Sequence, residues 1–202
     1  MSRLYIGIDP GLDGAAVAVT DFGEILAVLD TPTLAVGKGK RVHDEQAMAN
    51  WLIAWGCDLD GPARVAIEAV HAMPKQGVAS TFTFGMGYGL WRGLLVGLGL
   101  SYDLVTPQKW KAAMMHGQPK EKDASRVVAL RLWPQSADCF RLKKHAGRAD
   151  AALLAEYRRR QEPATGGHDH RDPPGYPEAV GRIMTATWHR VPPPLSDSEP
   201  AS

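Results

Sequence analysis

The apolar positions of this chain come in short runs cut by glycine and proline turns, and their period changes along the sequence. Residues 4–19 read LYIGIDPGLDGAAVAV, an apolar run, a Pro-Gly-Leu-Asp-Gly turn and a second apolar run, which predicts a β-hairpin. Residues 22–29 predict a third strand. Residues 33–42 are polar and carry Lys38, Lys40 and Arg41, which predicts a loop. In residues 44–55 the period lengthens: Ala47, Met48, Trp51, Leu52 and Trp55 recur at helical spacing behind Asp44, a good N-cap. Residues 63–68, ARVAIE, predict a short buried strand that ends in an acid. A helix over 77–100, a strand over 102–106 stopped or redirected by Pro107, and helices over 122–132 and 148–160 complete the order βββαβαβαα. That order predicts an α/β domain with a mixed β-sheet flanked by helices.

Two stretches depart from this pattern. Residues 84–100 are apolar enough to raise a membrane span, but they are short for one, dense in glycine and interrupted by Arg92, so they read as a buried or interface helix. Within them Gly85, Gly89, Gly93 and Gly97 recur every four residues, a ridge suited to packing on the chain's own sheet or on a second copy. Residues 161–202 hold 8 of the 15 prolines and end LSDSEPAS. This composition predicts a flexible tail over 159–202 behind a globular domain over 1–158, with His168 and His170 read as tail residues.

Charge changes the picture once it is taken by segment. The chain has 23 basic and 22 acidic residues in 202, a net charge of +1. Residues 1–108 carry 7 basic and 11 acidic side chains, residues 109–160 carry 13 and 5, and residues 161–202 carry 3 and 6. The middle block is therefore +8, and a basic block beside an acidic one points to a polyanionic partner. Cys57 and Cys139 provide neither a disulfide framework nor zinc-ligand spacing, and the N-terminus lacks the apolar stretch of a signal peptide. A cytoplasmic protein with no membrane association is expected.

Three carboxylates stand out by their local setting. Asp9 ends the run Tyr5-Ile6-Gly7-Ile8, Glu68 ends Val65-Ala66-Ile67, and Asp150 opens the Ala-rich helix DAALLAEY. A single such acid is ordinarily a cap or a turn residue. Two at strand ends and one at a helix start suggest an oxygen-rich site for hard Mg²⁺ or Mn²⁺, provided the two strands are neighbours. Two such ions clamp the attacking and leaving oxygens of a phosphodiester and need no nucleophilic side chain. The chain has neither a GxSxG elbow nor a P-loop.

Four blocks carry a resemblance: IGIDPG, VAIEAVHAMPKQGVASTFTFG, TPQKWK and HAGRADAALLAEY. In this order, over roughly residues 4–157, they resemble the RuvC-type Holliday-junction resolvases, most of all their phage and prophage branch. The resemblance implies an RNase H-like fold, a homodimer, two divalent metals (Mg²⁺, with Mn²⁺ able to substitute), and paired nicks in four-way or branched DNA that leave 5′-phosphate and 3′-hydroxyl ends. It places Asp9, Glu68 and Asp150 on the metal-binding acids. The branch often has a further acid four residues before the last Asp, and here that position is Ala146. Three readings stand open: the adjacent His145 replaces the ligand, three acids suffice, or the sequence is an engineered inactive variant. A catalytically impaired or non-catalytic junction-binding protein is thus the alternative to an active endonuclease. A broader RNase H-like nuclease is another, and an actin-like ATPase is disfavoured.

The expected DNA contacts are Lys111, Lys120, Lys122, Arg126, Lys143, Lys144 and Arg148, with Lys75 and Gln76 in a substrate loop. Phe82 and Phe84 are candidates for stacking on unpaired bases, or for core packing. Lys109 is the candidate to stabilise charge in the transition state, and His71 is a candidate neighbour of the metal site.

Overall fold

A computed structural model describes residues 3–57, 61–71, 77–118, 121 and 123–162. Seven strands and five helices form: β1 (Leu4–Asp9), β2 (Ala15–Thr20), β3 (Ile25–Asp30), β4 (Thr33–Ala35), β5 (Arg41–His43), α1 (Glu45–Gly56), β6 (Arg64–Glu68), α2 (Val78–Gly97), β7 (Tyr102–Val105), α3 (Pro107–Met114), α4 (Ala124–Leu132) and α5 (Ala146–Gln161). Short 3-10 turns span Pro134–Cys139 and Lys143–His145. Residues 163–202 of the expected tail, Lys75, Gln76, Lys120 and Lys122 lie outside the described residues, whereas residues 159–161, also expected in the tail, continue α5, whose backbone hydrogen bonds run on through them.

Five strands make one mixed sheet in the order β3-β2-β1-β6-β7. The β1–β2 and β2–β3 pairs are antiparallel, and β1–β6 and β6–β7 are parallel. The period-2 alternation of each strand sorts its side chains between two faces. Leu4, Ile6, Ile8, Ala16, Ala18, Val65 and Ile67 pack with Met48, Leu52, Trp91 and Leu95 of α1 and α2. Ala15, Val17, Val19 and Ala66 pack on the other face with α5, α4 and α3. Both faces are covered, so the central strands read as nearly continuous apolar runs.

Helix α5 approaches the sheet very closely. A Cβ placed on Gly7 would lie 2.0 Å from the Ala151 carbonyl oxygen and 2.5 Å from the Ala155 nitrogen. One placed on Gly147 would lie 2.5 Å from the Asp13 carbonyl oxygen. Gly147, Ala151 and Ala155 are spaced i, i+4, i+8, a ridge without bulk on one helix face. The glycine of β1 and this ridge together let two backbones touch.

Two elements correct the sequence-based expectation. The loop expected over 33–42 contains the β4–β5 hairpin, paired Thr33 to His43, Leu34 to Val42 and Ala35 to Arg41. Its tip is closed by positive φ at Gly37, Lys38 and Gly39 (90°, 47° and 72°). Pro107 does not merely stop β7: it begins α3, at a position whose backbone N–H would be unpaired in any case. Thr106 is the N-cap, its hydroxyl accepting from the Lys109 N–H at 3.4 Å. Asp44 does cap α1 as expected, accepting from the Ala47 N–H at 3.0 Å. No helix among the described residues is long and apolar enough to cross a membrane.

Candidate metal centre and nucleic-acid interface

The parallel pairing of β1 and β6 matches Gly7 with Ala66 and Ile8 with Ile67. One step further, Asp9 and Glu68 stand side by side at the carboxyl ends of adjacent strands. Strand parity decides the face. Ala66 points toward α5, so Glu68, two residues on, does too, and Asp9 shares the side of Gly7. The close seat of α5 on Gly7 brings the N-terminal part of that helix to the same place, with Asp150 one turn in from its start rather than opening it as expected. Carboxyl ends of parallel strands are where open α/β sheets bind ligands.

The electrostatics agree with this convergence. Burial, and then the charges of Glu68 and Asp150, push the Asp9 carboxyl up to about 7, although the Gly11 N–H donates to it at 3.3 Å. Burial also raises Glu68, against the Trp110 indole N–H, which donates to Glu68 Oε1 at 2.9 Å. Burial raises Asp150 as well, opposed by the Ser125 hydroxyl. One cation, Lys111, lowers all three. Three half-buried carboxylates that resist ionisation together suit a hard divalent cation, which would relieve both desolvation and repulsion. As the side chains stand they do not close on one point: among the described residues no three His, Cys, Asp or Glu groups are gathered tightly enough to hold an ion. The fit is therefore one of donor chemistry and common position.

The other candidates divide. Lys109 is exposed and lines a shallow groove with Asp103, Val105, Tyr157 and Arg158, whereas Lys111 is the lysine whose charge reaches the acids. His145 is buried at the start of α5. Its Nδ1 accepts from the Leu142 N–H at 3.4 Å, and the charges around it are Arg148, Asp30, Lys144 and Arg126, with none of the three acids among them. Burial lowers its pKa, so it is held neutral on that side of the helix. Ala146 begins α5 one turn before Asp150, on the same helix face, and offers no oxygen there.

Arg148 is occupied. Its Nε and Nη2 donate to the two carboxylate oxygens of Asp30 at 2.5 and 2.6 Å. Arg126 donates to the carbonyls of Phe140 and Arg141 at 3.2 and 3.1 Å and holds the 134–142 turn in place. Lys111, Lys143 and Lys144 are exposed. Phe82 is 68% exposed near the start of α2, and Phe84 is half-buried. His71 is exposed, and residues 72–76, expected to form part of a substrate loop, lie outside the described residues.

The glycine ridge of α2 faces away from the sheet. A Cβ on Gly85, Gly89, Gly93 or Gly97 would meet nothing within 4 Å, whereas Gly87, Trp91 and Leu95 form the inward face. Packing on the chain's own sheet is therefore not the reason for the ridge.

Sequence reasoning missed Trp110, Gly7 and Gly147. The first was within the block TPQKWK, but its role required α3. The glycines were visible as small residues, while their contact with α5 is purely tertiary.

No protein-family model matches the chain. A segment of 91 residues, 45% of the chain, is 34% identical to the chloroplastic Holliday junction resolvase MOC1 of Chlamydomonas reinhardtii. The match spans about a tenth of that longer protein. Among solved structures, T. thermophilus RuvC in complex with Holliday junction substrate superposes with a TM-score of 0.53 at 14% identity, over 77% of this chain and 91% of that one. The chain thus shares the fold of that RuvC structure, a mixed sheet flanked by helices, and a 91-residue segment with part of MOC1.

Proposed function

We propose that this protein is a metal-dependent, structure-selective endonuclease that resolves four-way or branched DNA. The observation that carries the reading is the convergence of Asp9, Glu68 and Asp150, from two neighbouring parallel strands and a helix packed across them, in a fold shared with RuvC. The segment in common with a Holliday junction resolvase supports the substrate class.

Asp9, Glu68 and Asp150 would hold Mg²⁺, or Mn²⁺ in its place, and such ions supply water activation and charge neutralisation at a phosphodiester. The chain's own residues do the rest. Trp110 fixes the Glu68 carboxylate through its indole N–H and keeps its apolar ring against the site. The Gly11 N–H orients Asp9. Lys111 is the cation placed to offset negative charge that builds during displacement. Lys143 and Lys144, just ahead of α5, supply phosphate contacts that position DNA without reading its sequence.

A homodimer completes the proposal. The outer face of α2 presents the glycine ridge together with Val78, Phe82, Met86 and Val96, exposed by 87, 68, 42 and 68%. A second copy seated there by a twofold would set two sites against a twofold-like junction.

A second reading is favoured by one observation. Ala146 contributes no ligand side chain and His145 Nδ1 accepts from the Leu142 N–H with none of the three acids acting on the ring, so among the described residues the site has three acids and no substitute fourth. This supports a junction-binding protein with weak or no cleavage. One assay separates the readings: a labelled four-way junction, a Y-fork and a linear duplex are each incubated with Mg²⁺, Mn²⁺ or EDTA. Paired nicks in the junction support resolution. Binding without cleavage in either metal supports the second reading, and Ala146→Asp should then restore nicking.

A further inference from the structure

We infer that the β4–β5 hairpin is a DNA-contacting arm that grips the phosphate backbone beside the three acids. The inference rests on the reading of this site as a DNA-processing centre, and adds an element that the sequence presented only as a loop.

The hairpin is anchored at its base and free beyond it. His43 is 2% exposed, and its ring lies against Gly87 of α2, where an added Cβ would come within 2.4 Å of Nε2. Residues 34–42 are all exposed. The anchoring contacts lead to the turn that follows Asp9. Arg41 donates to Asp13 at 2.7 Å, the Thr31 hydroxyl donates to the Gly11 carbonyl at 2.8 Å, and the Thr31 N–H donates to the Gly14 carbonyl at 3.0 Å. Whatever the arm touches is thereby registered to the turn that orients Asp9.

Its charge and shape fit a nucleic-acid backbone. Residues 33–43 contain Lys38, Lys40 and Arg41 and no acid. Arg41 is spent on Asp13, which leaves the two lysines at the tip. Lys38 holds φ 47° between two glycines, a conformation that Gly or Asn adopts at lower cost. A cation is kept at a position where the backbone disfavours it. Leu34 and Val42 face each other across the hairpin and, with Val36, are 51, 38 and 55% exposed. A two-stranded hairpin of this kind is marginal in water by itself, and apolar cover from sugar faces would complement the lysines on phosphate.

The test is junction binding in EDTA, across 50 to 200 mM salt, for the full chain and for Lys38→Gln/Lys40→Gln. Removing two phosphate contacts should weaken binding roughly tenfold and make the slope of log K against log salt shallower by about 1.8. A variant that binds with unchanged affinity and slope overturns the arm while leaving the nuclease reading intact. A variant with unchanged affinity but a changed sedimentation mass also overturns it, in favour of a contact between copies. A wild-type chain that binds no branched DNA overturns the arm together with the reading beneath it.

Discussion

Gly7→Ala tests whether backbone contact between β1 and α5 sets the site. The added methyl would stand 2.0 Å from the Ala151 carbonyl oxygen and 2.5 Å from the Ala155 nitrogen, both main-chain atoms of a helix. No rotamer change can relieve either. Ordinary contact begins near 3.4 Å, so α5 would have to rise by about 1 Å or tilt. Overpacking of this kind costs roughly 1–3 kcal/mol. For a domain of this size that is a fall in Tm of about 3–10 °C. The same displacement carries Asp150 away from Asp9 and Glu68, and misplacement by about 1 Å can lower a rate on the order of 100-fold. The expected result is a folded protein with a lowered Tm, near-normal junction binding in EDTA and severely reduced nicking in Mg²⁺. Ala66→Gly, a substitution on the same sheet face without a clash, is the control for simple loss of stability. If Gly7→Ala melts with the wild type and cuts at its rate, the helix is not held by this contact and the account of how Asp150 reaches the site is refuted.

Three further outcomes follow from the site and its surroundings. Trp110→Phe keeps the buried ring but removes the donor to Glu68; it should cost about 1–2 kcal/mol in stability and weaken Mn²⁺ binding measured by calorimetry. Asp9 is raised in the folded, metal-free chain, so the native state binds the extra proton between about pH 4 and 7, and stability in EDTA should fall as pH rises through that window. Asp9→Asn should make this fall shallower by up to one proton, and a slope equal to the wild type's would remove Asp9 as its source. Asp30 is shifted the other way by Arg148, so its contribution is present above the unfolded carboxylate range and lost as pH falls through its lowered folded-state value; Asp30→Asn should cost less than about 1 kcal/mol at pH 7 and progressively less as the solution is acidified below the ordinary carboxylate range, read by urea melts.

Much of this arrangement was legible in the chain, for identifiable reasons. Asp9 and Glu68 stand at the ends of apolar runs, where an acid is conspicuous, and β1 and β6 do pair in the parallel register that sets them together. The helix that starts near Asp150 was visible as an Ala-rich stretch, and α5 covers it. The β4–β5 hairpin was not visible, because its strands have three residues each and its tip has no period. Helix α3 was hidden by Pro107, which reads equally as a stop or a start until the Thr106 cap is seen. The ridge on α2 could be counted, but whether it faced the sheet depended on Trp91 and Leu95 taking the inward side.

The basic surplus of residues 109–160 has to be divided by what each cation does. Arg148 is held by Asp30, Arg158 by Asp103 and Glu162, and Arg159 and Arg160 both by the buried Glu156. Arg126 is spent on backbone carbonyls. These guanidiniums suit fixed partners: Arg148, Arg158 and Arg159 tie α5 to Asp30, Asp103 and the Asp21 carbonyl, and the pairs with Glu156 brace the helix itself. The described lysines of the block, Lys109, Lys111, Lys143 and Lys144, are left on the surface, and Lys111 is set toward the acids. Counting charge along the sequence therefore finds the right region while overstating its free charge. The salt dependence of DNA binding should follow the exposed lysines. Lys143→Gln/Lys144→Gln should flatten the slope of log K against log salt, whereas Arg148→Lys should lower Tm and leave that slope unchanged. An Arg148→Lys slope reduced as much as that of the double lysine variant would show that the Asp30 pair opens to meet DNA, and that the division drawn from the unbound fold does not hold in the complex.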